Sequence, residues 1–424
     1  MTATVHIVGA GVAGLAAAVR FASRGAAVVL HEAAPQAGGR CRSYFDPQLD
    51  ATIDNGNHLV LSGNRATLDF VRTIGAQGAL SGPDGADFAF VDLKTDERWT
   101  VRLSEGRLPL WIFDPKRRVP GTRWLDYLSL APLLTARAHQ SMTDAMRCPP
   151  ALYERLIRPL FLAVLNTEPT DGSAQLAGAV IRETLVPGGR ACHPLIAVHG
   201  LDAAFISPAL DYLAKHGAQV RLQSRLRALD LDDVANPAQR RVRALDFGKG
   251  FEPVGKDDAV ILALPPNVTA SLVPELTVPN EYRAIVNAHF QVTPPPDCPP
   301  MLGVINSLTE WIFAFEGRLS VTISGADRLL DETRESLAVK IWAEVAAAVK
   351  LPVEPMPRWQ IVREKRATFA ATPAQNALRP PPQTRWDNLM LAGDWIDNGL
   401  PATIEGAIRS GNRAADLLRD QGFA

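Results

Sequence analysis

The residues best placed to do chemistry fall in short stretches near the two ends of the chain. Near the start, Gly9-Ala-Gly11-Val-Ala13-Gly14 stands between two apolar runs, Val5-His-Ile-Val8 and Ala27-Val-Val-Leu30, and Glu32 follows the second. Strand, glycine turn, helix, strand and acid in that order suit a dinucleotide. One glycine makes the tight turn, one lets backbone approach a pyrophosphate, and one lets helix pack on strand. The phosphates would sit at the helix N-terminus, where free amide groups and the dipole favour negative charge. Glu32 falls close to the roughly 20 residues expected for an acid that bonds a ribose hydroxyl. Just beyond it, Gly38-Gly39-Arg40 can bring backbone and guanidinium against a pyrophosphate or a flavin edge. An NAD enzyme would normally run on into its next βα unit at this point.

Near the other end, Asn388-Leu-Met-Leu391 reads as a strand that ends at Ala392-Gly393-Asp394-Trp395. After a loop, Thr403 and Ile404 open a helix that runs through Leu418. Free amide groups at that helix start can face a flavin carbonyl and stabilise the anion that develops on reduction. Gly393 permits close backbone approach, and Asp394 offers an acceptor for ribityl or phosphate-side hydroxyls. Between the two ends, Asp54-Asn55-Gly56-Asn57-His58 supplies two titratable groups. Taken as residues alone, this is a turn with a strand beginning at His58, and a histidine beside a turn is more often structural than catalytic.

The rest of the chain must position these groups. Its 424 residues imply two domains or one large discontinuous domain. With 47% apolar and 21% charged residues it has an ordinary globular composition, and a net charge of −1 gives no reason to expect nucleic acid. Cys41, Cys148, Cys192 and Cys298 show no metal-ligand spacing and suit a reducing cytoplasm; no metal is expected. No run approaches the ~18 apolar residues of a spanning helix. Strands are expected at Phe88–Val91 and Arg98–Arg102, and helices over Trp124–Met146 and Pro150–Asn166. A fully buried strand is expected within Asp257–Pro266. Leu108-Pro-Leu-Trp-Ile-Phe113 beside Lys116-Arg117-Arg118 is either a membrane-surface contact or a sheet edge with solvated charges.

Gly9-x-Gly11-x-x-Gly14 followed by Glu32-x5-Gly38-Gly39-Arg40 resembles the FAD-binding signature of the amine oxidase and carotenoid desaturase superfamily. The stretch Leu391–Gly411 is most similar to one branch, the squalene-associated FAD-dependent enzymes, or hydroxysqualene dehydroxylases, of bacterial hopanoid pathways. Asp54–His58 and Arg363–Phe369 are similar to that branch as well, while the middle of the chain is covered loosely. Asn57 departs from the pattern, which has a glutamine there, and Asp397-Asn398 looks variable.

The resemblance implies an α/β fold: a Rossmann-type FAD-binding domain assembled from residues 1–83, 203–270 and 385–424, with an α+β substrate domain from 84–202 and 271–384. It implies non-covalent FAD held by Gly9, Gly11, Ala13, Gly14, Glu32, Gly39, Arg40, Gly56, Asn57, Gly393, Asp394, Thr403 and Ile404, with the backbone of Leu226 at the adenine. The implied reaction is reduction of an allylic C30 alcohol to squalene, with hydride from reduced flavin. His58 and Asp54 are the candidate proton donors, since loss of hydroxide requires one. The partners implied are a hydrophobic C30 isoprenoid and an external reductant, NADPH or a redox protein, at the inner face of the cytoplasmic membrane. Two competing readings are an oxidative enzyme (carotenoid desaturase or amine oxidase) and a non-catalytic prenyl-lipid-binding partner of a squalene synthase.

Overall fold

The structure, a computed structural model, describes residues 3–232 and 240–423. Two sheets organise it. The first has five parallel strands in the order Gln219–Arg221, Ala27–His31, Thr4–Val8, Ala259–Leu262 and Leu389–Leu391. Ala259–Leu262 and Leu389–Leu391 are buried throughout, as continuous apolar strands inside a parallel sheet should be. The helix Val12–Ala22 leaves Thr4–Val8 through the glycine turn and is buried on almost every side, so its small residues face both sheet and helix. The helix Ile404–Asp420 packs across it. A Cβ on Gly411 would come within 2.1 Å of the Ala13 carbonyl oxygen, so glycine is what allows that approach.

The second sheet has seven strands in the order Trp359–Phe369, Tyr282–Phe290, Arg318–Ile323, Trp311–Phe315, Met301–Ile305, Asp87–Asp92 and Glu97–Arg102. Only Met301–Ile305 and Asp87–Asp92 pair parallel; the other neighbours are antiparallel. The helix Arg334–Val349 covers one face, burying Leu337, Ile341, Trp342 and Val345. Thr333 caps its start by accepting from the Ser336 amide.

The segment expected as a helix over Trp124–Met146 differs. It is a run of tight three-residue turns over Trp124–Thr135, then a single helical turn, Met142–Ala145. Pro132 lies inside the first part, where a helix would need its missing amide and the ring would clash with the preceding turn. Pro150–Asn166 is helical with a widened turn at Tyr153–Ile157, and it stops where Asn166 turns left-handed. No helix among the described residues is long and apolar enough to cross a membrane.

Candidate cofactor and substrate site

The glycine turn is shaped by three different constraints. Gly9 has a φ of +106°, and its amide donates to the His31 carbonyl at 2.7 Å. A Cβ on Gly14 would lie 1.9 Å from the Gly9 carbonyl oxygen, so this position closes the helix on its strand. Around Gly11 the reverse holds: a Cβ there would meet no atom within 4 Å. Gly11 is also the N-cap of the helix and carries no side chain to satisfy the first amides. Across from it, Gly38 bridges to Gly11 through backbone, and Gly39, at φ +56°, would place a Cβ 3.4 Å from the Gly11 Cα. Bare amides and three glycines around open space fit a pyrophosphate.

Glu32 fixes this turn directly. Its carboxylate accepts from the Ala10 and Ala34 amides, each at 2.8 Å. A carboxylate offers about four acceptor positions, so capacity for a ribose hydroxyl remains. The Leu226 segment runs alongside: the Ser224 amide donates to the Glu32 carbonyl at 2.8 Å, and Leu226 is buried two residues on.

Arg40 ties this region to the C-terminal stretch. Its guanidinium donates to Asp394 Oδ1 at 2.7 Å and to the Ala367 carbonyl on the seven-stranded sheet. Gly393 donates to Ser410 Oγ, and Thr403 caps the last helix by accepting from the Gly406 amide at 3.0 Å. The hydroxyl of Thr403 is therefore occupied in capping, and the amides of Ile404 and the next residue form the open helix start. Ala13 is buried beneath Gly411, where the two helices cross.

The 54–58 stretch meets the second sheet. Asp54 Oδ1 accepts from Ser43 Oγ at 2.5 Å and from the Leu201 amide at 2.9 Å, so this carboxyl braces its own strand against the turn at residue 200. Burial raises its pKa, and those two donors oppose the shift. Asn55 donates to Glu364 and accepts, through its carbonyl, from Asn287. Asn57 donates to Thr322 Oγ1 at 3.0 Å, and Thr322 donates on to Asn287 Oδ1 at 2.8 Å. Gly56 lies against Asn287, where a Cβ would reach Nδ2 at 3.1 Å. The Asn57 Oδ1 is buried with no partner, an acceptor left over beside Gly56 that a flavin ring N–H would satisfy.

His58 is partly exposed and makes no hydrogen bond to another described residue. Burial of its ring, with the charge of Arg40 adding to it, pushes its pKa down to about 4. It is neutral near physiological pH and offers an N–H, not a transferable imidazolium proton.

Three buried side chains around the C-terminal loop were not among those expected. Arg379 is buried, and its guanidinium donates to the carbonyls of Asp394, Trp395 and Ile396 and to Asn398 Oδ1, clamping the loop before the last helix. Burial lowers its pKa to about 10, still high enough to keep it charged. Glu405 is also buried; it accepts from the Ala66 and Thr67 amides at the start of the Arg65–Thr73 helix and pairs with Arg409 at 2.9 Å. The i, i+4 spacing of Glu405 and Arg409 was a legible sign; nothing local marks Arg379. Trp395 is buried too, with its indole N–H spent on the Leu264 carbonyl, so it is no aromatic wall for an amine. A cleft of about 340 Å³ opens beside Asp54, lined also by Val198, Gln291, Phe315 and Arg318. A larger one of about 560 Å³, lined by Asp87, Arg102 and Lys116, shares no residue with the glycine turn.

The flavin-containing amine oxidoreductase family pattern matches residues 12–419. A hydroxysqualene dehydroxylase from Rhodopseudomonas palustris is 56% identical over the whole of both chains. One from Sinorhizobium fredii is 54% identical over 98% of each. Cyclohexylamine oxidase from Brevibacterium oxydans superposes with a TM-score of 0.71 over 99% of both chains at 14% identity, a likeness of fold alone.

Proposed function

Since the chain belongs to the flavin-containing amine oxidoreductases, and within them to the hydroxysqualene dehydroxylases, we propose that it reduces hydroxysqualene to squalene with non-covalently bound FAD. The observation that carries this is the 56% identity over the full length of both chains. The chain is a flavin-dependent oxidoreductase, and the oxidative readings are not favoured.

In the reaction the allylic C–O bond breaks, a C–H bond forms at the same carbon, and the hydroxide that leaves takes up a proton from solvent to become water. Bound FAD supplies the hydride once reduced. Residues of the chain do the rest. Gly9, Gly11, Gly39 and Arg40 would hold the pyrophosphate, Glu32 and the Leu226 backbone the adenosine, and Asp394 the ribityl side. Asn57 and the amides at Ile404 would orient the ring edge, while Gly56 lets it lie close. His58, neutral and unpaired, hydrogen-bonds the leaving oxygen; Asp54 acts through position, by fixing the strand from which His58 projects. This assignment expects a turnover rate that does not follow a titration near 6.5, the ordinary histidine value, and a pH–rate profile would show it.

Non-covalent attachment is supported by the thiols. Cys41, the one nearest the glycine turn, is buried and pushed by that burial up to about 12, so it is no thiolate nucleophile. Denaturation should release all of the flavin. The reductant would come from outside, as NADPH or a redox protein, and stopped-flow bleaching of the flavin tests the former. The decisive experiment is anaerobic incubation of dithionite-reduced protein with hydroxysqualene in detergent, followed by mass spectrometry of the extract. Squalene in proportion to flavin oxidised supports the reading. A flavin that stays reduced, with no squalene, removes it.

A further inference from the structure

We propose that Leu108, Leu110 and Phe113, together with Trp124, Leu125 and Leu128, form a surface that docks the protein on an anionic lipid bilayer. The inference deepens the functional reading above and rests on it, since a water-insoluble C30 alcohol is drawn from a membrane. All six side chains are between 42% and 69% exposed, and they lie within 21 residues of sequence. Scattered exposed apolar residues need no explanation, but a cluster of this kind does.

The patch is built, not frayed. Leu110–Phe113 and Trp124–Thr135 are tight-turn segments, and each points some residues inward. Trp111, Ile112 and Tyr127 are buried, with the Trp111 and Tyr127 rings meeting edge to face. Tyr127 Oη accepts from the Val119 amide at 3.0 Å, and Arg118 donates to the Ile112 carbonyl, so the two segments are held in one unit. On the outer side, Phe113 and Trp124 stand with ring centroids 5.4 Å apart.

Charge decides the occupant. From Arg107 to Arg123 there are five cations (Arg107, Lys116, Arg117, Arg118, Arg123) and one acid, Asp114, in a chain whose net charge is −1. Arg117 is spent on the carbonyls of Arg102 and Leu103, which tie the unit to the seven-stranded sheet, and Arg118 on the carbonyl of Ile112. Arg107 and Lys116 are exposed and have no acidic partner among the described residues, and Arg123 is 78% exposed beside Asp126. Apolar and aromatic tips with two unpaired cations, Arg107 and Lys116, in the same stretch match the acyl boundary and headgroups of an anionic leaflet. The tips rise from turns and belong to no strand, so they offer no open sheet edge of the kind a peptide would extend. Beneath them, one apolar cluster continues through Leu156 and Phe161 to Trp395 and Ile396, beside the Asp394 end of the candidate cofactor site.

The test is flotation of the full-length holoprotein with phosphatidylcholine vesicles, with and without about a third phosphatidylglycerol. Wild type should float with the anionic vesicles and much less with the neutral ones. Leu110→Ser, Phe113→Ser and Trp124→Ser combined should weaken the partition ~1,000-fold, near tenfold for each side chain. Arg107→Glu with Lys116→Glu should remove the anionic preference. Both variants should keep wild-type flavin content and turnover of detergent-dispersed hydroxysqualene. Wild type that stays at the bottom, or a triple variant that floats as well as wild type, overturns the proposal. So does wild type that dimerises through these residues without floating. Flotation without turnover in detergent would overturn the substrate reading alone and leave the docking surface standing.

Discussion

The two sheets contribute to the cofactor and substrate site by different means. The five-stranded parallel sheet contributes backbone: bare amides at Gly11, close approaches at Gly9 and Gly14, and one carboxylate, Glu32, that serves the turn. The seven-stranded sheet contributes side chains: Asn287, Thr322 and Glu364 reach across to Asn55 and Asn57. At Gly9 and Gly14 the first arrangement tolerates no added atom. The second tolerates substitution but loses orientation when a partner is removed.

The sharpest break of this contrast lies within the glycine turn itself. Gly14→Val should prevent folding, because its side chain must enter space held by the Gly9 carbonyl; the cost exceeds the ~1–3 kcal/mol of ordinary overpacking. Soluble yield and circular dichroism measure it. Gly11→Ala, by contrast, should leave the apoprotein as stable as wild type while flavin binding weakens at least tenfold, or about 1.4 kcal/mol. Equal loss of fold in both would mean that the open space at Gly11 is not a ligand's.

Next in size is Arg379→Gln. Four acceptors of the 394–398 loop lose a charged donor in a buried place, at a cost of about 3 kcal/mol or more. A fall of several degrees in melting temperature, with weaker flavin retention, is expected. If the variant bound flavin normally, the loop would owe its shape to something else.

Asn57→Ala and Thr322→Val test the side-chain half. Each holoprotein should fold and carry flavin, with turnover down roughly tenfold to a hundredfold. In the double variant the two effects should fall short of additive by about 1 kcal/mol, because the residues share one hydrogen bond. Full additivity would dissolve the network.

The pH-dependent effect concerns Glu310, just before the strand Trp311–Phe315. Burial raises its pKa from 4.5 to about 7, against the opposing Ser324 amide, which donates at 2.7 Å. The folded protein thus binds this proton more tightly than the unfolded chain does. The group therefore favours folding at acid pH, and that contribution is lost as pH rises from about 4.5 through 7. Glu310→Gln should gain roughly 1–3 kcal/mol on wild type between about pH 5 and pH 8. Melting curves of both proteins at the two pH values check it, and a constant difference would place the carboxyl in a wetter setting.

The same contrast explains what could be read from the sequence. Glycine turns carry their chemistry locally, so the strand, turn, helix and acid of residues 4–32 were legible from residue types alone, as was the start of the last helix. Side-chain contacts of the second sheet were not, because their partners lie far apart in sequence: Asn55 meets Glu364, and Asn57 meets Thr322. Arg379 fails to announce itself for the same reason, since an arginine before a proline cluster looks solvated until the loop it clamps is seen. Trp124–Thr135 misled through composition: its apolar content suits a helix, but Pro132 and the outward apolar residues break the period.

The order of strands in the first sheet also sets a schedule for synthesis. Thr4–Val8 and Val12–Ala22 leave the ribosome long before the strand Leu389–Leu391 and the helix over Ala13. Until then the alanine-rich side of the first helix has no cover, and the site's glycine turn lacks the Asp394 and Ile404 side of its cradle. Flavin capture is thereby a late event in the life of each nascent chain, and the first helix is the segment a chaperone has most reason to shield meanwhile.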